Sequence, residues 1–130
     1  MKFGIWDKEN FIGILTPKNY IQYKAFPGEH LFLARAENWA VIKGSLEAGK
    51  TYYILASPRM GAWKARVAME VLRPDDPRLN EWMRSLTPST VDPGKRDAYV
   101  QEWLEPVRKA VENIEAGRAD FIVINPSDGK

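Results

Sequence analysis

Gly44-Ser45-Leu46-Glu47-Ala48-Gly49-Lys50-Thr51 fits G-x-x-x-x-G-K-[ST], the loop that cradles nucleotide phosphates. That chemistry needs a buried strand closed by the first glycine and a helix after the lysine, with its N-terminal amides aimed at the phosphate. Here Gly44 falls inside an apolar run. Thr51-Tyr52-Tyr53-Ile54-Leu55 is β-branched and aromatic, which favours a strand over a helix. The string therefore reads as a strand end, a hairpin turn and the start of the next strand. No thermal shift is expected with ATP and Mg²⁺, and no cofactor is expected at all.

His30 is the single histidine and the one side chain that titrates near neutral pH without a large perturbation. Glu29 precedes it, but neighbours in a strand point to opposite faces, so the two do not pair. Ser and Thr lie in turns, outside any nucleophile-elbow pattern. Asp75/Asp76 and Glu102/Glu105 read as a helix start and a solvated helix face, and two carboxylates are few for a hard cation. Zero cysteines exclude a disulfide framework, a thiolate metal site and a cysteine nucleophile, and one histidine excludes a multi-His centre within the chain. No catalytic residue and no metal ligand is assigned. His30 reads as a structural or solvent-exposed strand residue.

The aromatic and basic residues offer a binding chemistry instead. Trp39 and Trp63 fall at strand starts, beside the Glu37-Asn38 turn and the loop around Arg59. An exposed indole with Arg59, Lys64 and Arg66 nearby would form a patch for stacking on a sugar or gripping a peptide. Trp39, Arg59, Trp63, Lys64 and Arg66 are thus the candidate ligand-binding residues.

These residues need a scaffold, and 130 residues at 45% hydrophobic and 28% charged suit one soluble globular domain with one core. Residues 1–74 carry eleven Lys/Arg against six Asp/Glu, and residues 75–130 carry eight against eleven. A split of +5 against −3 is too mild for a nucleic-acid footprint; it lets the two halves attract. No stretch reaches the roughly 18 apolar residues of a membrane helix. Met1 is followed at once by Lys2-Phe3-Gly4-Ile5-Trp6, without an export signal. A native start at Met1 implies the cytoplasm; a trimmed start would leave the compartment open.

Apolar runs at residues 2–6 and 11–15 flank a four-residue hairpin loop, and residues 20–24 read as a further strand. Pro27-Gly28 is a turn dipeptide. Residues 30–36 are apolar on both faces and so belong in the centre of a sheet. Strands follow at 39–46 and 51–56, then a loop at 57–62. Residues 63–72 alternate Trp63, Ala65, Val67, Met69 and Val71 against Lys64, Arg66 and Glu70, a half-buried strand. Asp75-Asp76-Pro77 starts a short helix carrying Leu79, Trp82, Met83 and Leu86. Residues 87–94 read as a loop. Residues 95–116 form an amphipathic helix that Pro106 should kink or divide, with Gly117 at its end. Residues 121–124 dock as an edge strand or extended tail, and residues 125–130 fray.

Phe26-Pro27-Gly28-Glu29-His30-Leu31-Phe32, Ala36-Glu37-Asn38 and Leu46-Glu47-Ala48-Gly49-Lys50-Thr51-Tyr52-Tyr53-Ile54 resemble a bacterial family of uncharacterised small β-sandwich domains, found in lipoproteins and secreted proteins and similar to the PEGA-type modules. The resemblance spans roughly residues 3–72, with Phe11-Ile12-Gly13-Ile14-Leu15 fitting its first segment. It implies a sandwich fold and an envelope association, and it transfers no catalytic residue.

The expected protein is a single domain, residues 1–130. An antiparallel β-sandwich of about six or seven strands (1–72) carries a helical extension and tail (75–130). The function expected is a non-enzymatic binding module for a protein or carbohydrate partner, with no nucleic acid and no transmembrane segment. The alternative is a small hydrolase or carbohydrate-active enzyme using His30 or a carboxylate pair.

Overall fold

The computed structural model describes residues 2–60 and 64–130. The first two apolar runs form a hairpin, β1 (Phe3–Asp7) and β2 (Asn10–Leu15), whose turn places Lys8 in the left-handed region at φ 51°. Their register shifts between Ile5 and Trp6, leaving Ile12 as the extra residue of a bulge. β3 (Asn19–Tyr20) is only two residues long, and residues 21–27 are irregular where a strand through 20–24 was expected. Tyr23 explains part of this: its hydroxyl is drawn across to the Asp7 carboxylate, away from any ladder.

β4 (Gly28–Arg35) and β5 (Trp39–Leu46) form the long central hairpin. β6 (Tyr53–Met60) and β7 (Ala65–Leu72) form a second hairpin, and β6 runs through the stretch 57–60 that reads as loop in the sequence. Then come α1 (Arg78–Ser85), β8 (Thr87–Pro88), α2 (Pro93–Glu115) and β9 (Ile122–Ile124). β8 pairs with β3, so the expected 87–94 loop is pinned at its start and already helical from Pro93.

The main sheet has the order β2-β1-β4-β5-β9. It is mixed, because β9 lies parallel to β5 while the other pairs are antiparallel. The expectation of a mainly β chain with a long C-terminal helix holds; the sheet is not purely antiparallel. One face packs Phe3, Phe32, Ala34, Ile42 and Ile124 against Val67 and Met69 of the β6–β7 hairpin. The other packs Trp6, Phe11, Leu31, Leu33 and Val41 against Val107, Ala110 and Ile114 of α2. β4 is covered on both sides, as its two-faced apolar run demands.

α2 continues through Pro106 as one helix. Its end is a Schellman closure: Gly117 (φ 76°) donates to the Ile114 carbonyl and Arg118 to the Asn113 carbonyl. The tail does not fray. Thr51 and Lys130 exchange two backbone hydrogen bonds, and Tyr52 donates to the Pro126 carbonyl at 2.8 Å. A tail held by the turn between β5 and β6 has exchanged chain entropy for these bonds.

Candidate functional site

The Gly44–Thr51 string is structural throughout. Gly44 lies inside β5, opposite His30 on one side and Ile124 on the other. Lys50 donates to Glu47 at 2.9 Å and to the Pro126 carbonyl at 3.2 Å, and Gly49 turns the chain at φ 77°. No helix follows it.

His30 is neither exposed nor alone. Antiparallel pairing of β1 with β4 brings Asp7 beside it, and Nδ1 lies 2.6 Å from Asp7 Oδ2, with both side chains 10% exposed. Asp7 also accepts from the Tyr23 hydroxyl at 3.0 Å and the Leu31 amide at 3.4 Å. The other ring nitrogen, Nε2, lies 2.5 Å from the Phe26 carbonyl. Both ring nitrogens are thus engaged by neighbouring oxygen atoms. The ring stacks on Phe32 at 5.6 Å, nearly parallel. Burial is the main reason the Tyr23 hydroxyl holds its proton more tightly than a free tyrosine. An Asp–His pair is a general-base geometry, but here Nε2 is spent on the backbone. Glu29 points the other way and accepts from Ser45 Oγ, as strand alternation requires.

The carboxylate pairs behave as helix furniture. Asp76 accepts from the Arg78 amide and guanidinium, which lowers its carboxyl to about 2. Asp75 faces Arg73, and Glu105 shares Arg108 with Glu9.

The candidate ligand-binding residues divide between two faces. Arg59 and Arg66 are cross-strand partners on the exposed outer side of the β6–β7 hairpin, and Lys64 is exposed beside them. Trp63 lies outside the described residues. Trp39 starts β5 and turns toward α2. The turn before it docks on β7, where Asn38 exchanges two hydrogen bonds with the Val67 backbone. The basic residues and Trp39 therefore share one end of the molecule without sharing a surface.

Trp39 is instead part of an aromatic cluster that sequence reading missed. Trp6 contacts Phe11, Trp39, Tyr99 and Trp103 with ring centroids 5.4–6.3 Å apart. Gly4 makes room for it, because a Cβ there would collide with the Trp6 ring and the Tyr99 hydroxyl. Arg35, the register partner of Trp39, stands over Trp39 at 5.0 Å and over Trp103 at 5.4 Å. The readable signal was a basic residue closing an apolar strand two positions after Leu33, on the face that carries Leu31 and Leu33.

Beside this cluster a groove of about 260 Å³ opens, lined by Trp39 and Val41 of β5, Ala110, Asn113 and Ile114 of α2, and Ala119 and Asp120. Just past its last lining residue, Asp120, the chain enters β9, the sheet edge. Phe121, Ile122 and Val123 are 44%, 46% and 54% exposed, and Lys43 lies over the Phe121 ring. The opposite edge is closed. On β2, Arg96 donates to the Phe11 carbonyl at 2.6 Å, and Ser89 and Asn19 both donate to the Ile14 carbonyl. Among the described residues no comparable side chain covers β9.

Comparison with family models, with curated proteins and with solved structures finds no match to this chain.

Proposed function

We propose that this chain is a non-enzymatic interaction module that takes an extended peptide segment of a partner protein along the groove from Trp39 to β9. The observation that carries the reading is the asymmetry of the sheet edges. β2 is plugged by side chains, whereas β9 is an uncovered edge where Ile122 and Val123, with Phe121 just before them, are exposed near an apolar groove. Exposed edges are normally blunted by charge, proline or a covering element, and one left apolar is suited to strand addition. A peptide is favoured over a carbohydrate because the groove walls are mostly aliphatic, while the edge supplies backbone donors and acceptors.

The resemblance to PEGA-type sandwich modules is one of fold and carries no function of its own. In that comparison the β6–β7 hairpin would stand for the second sheet of a small sandwich, and the basic face with Arg59, Lys64 and Arg66 would be an accessory surface. An envelope location would follow from the same likeness.

The test is selection of binders from a random peptide library, followed by an amide-shift map of the complex. Shifts at Val41, Ala119 and residues 121–123 are expected. A map that leaves those residues unmoved would overturn the reading.

The Asp7–His30 pair favours a second reading, a small hydrolase or carbohydrate-active enzyme in which the Phe26 carbonyl withdraws to free Nε2. Turnover of a chromogenic ester or glycoside, lost in His30→Gln, would support it. Equal turnover in wild type and variant would remove it.

A further inference from the structure

Arg35 is held in an unusual way for a cation. Two arginines among the described residues are half-buried, Arg35 and Arg96. Arg96 donates to the Phe11 carbonyl; the guanidinium of Arg35 has no hydrogen-bond or ion-pair partner among the described residues, and its Nε is fully buried. The exposed Arg73, Arg78 and Arg108 each pair with a carboxylate. Glu102 is near enough to act on the Tyr99 hydroxyl yet forms no ion pair with Arg35.

A guanidinium drawn partly out of water without an acceptor carries an unrepaid desolvation cost. The faces of Trp39 and Trp103 recover some of it and fix the plane of the fork. The acceptor that matches a guanidinium fork held in a fixed plane is a carboxylate, bound through two parallel hydrogen bonds. Trp39 is shared between the clasp, where Arg35 stands over its ring, and the groove, which it lines together with Val41 and Ile114.

We infer that Arg35, clasped by Trp39 and Trp103, is a carboxylate-recognition site, and that the segment received in the adjoining groove carries an acidic residue next to an apolar one. This rests on the peptide-binding reading above and adds the charge of the ligand to it. Arg35 fixes register and charge; the groove and β9 supply the apolar contact.

The experiment uses the whole protein and two end-blocked tripeptides, isoleucine–glutamate–isoleucine and its glutamine counterpart, with inorganic phosphate as a third probe. Signals followed are the Arg35 Nε–H, the Trp39 and Trp103 indole N–H groups and the amides of Val41 and residues 121–123. The glutamate peptide is expected to shift the Arg35 and indole signals saturably. The glutamine peptide should bind at least about tenfold more weakly, the loss of one charge-assisted hydrogen-bonded pair. Arg35→Lys should remove about the same factor. Equal affinity for the two peptides, with shifts at Val41 and β9 alone, would overturn the carboxylate site and leave peptide binding standing. Phosphate competing as well as the glutamate peptide would overturn it too, by making the clasp a general anion site. Neither peptide shifting any of these signals would overturn both inferences.

Discussion

Gly44 of β5 and Ile124 of β9 are register partners, and a Cβ on residue 44 would fall on the Ile124 carbonyl. The residue that mimics a phosphate loop in sequence is what lets the last strand reach the sheet. Gly44→Ala is expected to push β9 outward and cost about 1–3 kcal/mol, the range for overpacking a fitted contact. Chemical denaturation measures the loss, and faster amide exchange at residues 122–124 locates it. Gly49→Ala, where φ is 77° and the space is open, should cost about 1 kcal/mol from backbone strain without releasing β9.

Asp7 serves three donors at once, from His30, Tyr23 and Leu31. Asp7→Ala strands all of them in a mostly buried position. A loss of about 3 kcal/mol is expected, as for a buried pair stripped of one partner. His30→Gln, which keeps a donor, should cost less. Thermal or denaturant unfolding of the two variants decides the order.

Tyr23 and Tyr99 both hold their protons more tightly in the folded chain, mainly through burial. The folded state therefore binds those protons better than the unfolded state. The stability this represents is complete below pH 10, the ordinary tyrosine value, and is lost as pH rises through the folded values. Stability should fall above pH 10, with tyrosinate absorbance appearing together with loss of ellipticity. Tyr23→Phe and Tyr99→Phe should each flatten that decline.

At the acid end, Arg78 keeps the Asp76 carboxyl charged down to about 2. Its folded value is depressed, so its contribution is present above the unfolded value near 4 and is lost as pH falls toward 2. The Asp76 carboxyl carbon should titrate near 2, return toward the ordinary range in Arg78→Ala, and report fraying at the start of α1.

Period and turn chemistry made most of the strands and both helices legible. Trp39–Leu46 matches β5 residue for residue, and Gly117 closes α2. What alternation could not show was pairing at long sequence separation. The strand expected through Tyr23 is cut short where Tyr23 reaches to Asp7, 16 residues away, and β9 lies close against β5 because Gly44 admits Ile124. The tail is ordered by Tyr52 and Thr51, contacts with no local signature. The binding candidates were half legible for the same reason. Trp39 was identifiable as an aromatic at a strand start, but Arg35 gains meaning only once Trp103, 68 positions on, lies across it.

The most direct measurement is the affinity of a library-selected peptide for wild type, Phe121→Ala, Val123→Glu and His30→Gln. Binding at the Trp39–β9 groove requires that Phe121→Ala and Val123→Glu each weaken the complex by about tenfold or more, as truncating or charging a hot-spot contact does, while His30→Gln binds like wild type. Unchanged affinity in both Phe121→Ala and Val123→Glu, or a loss confined to His30→Gln, would contradict it.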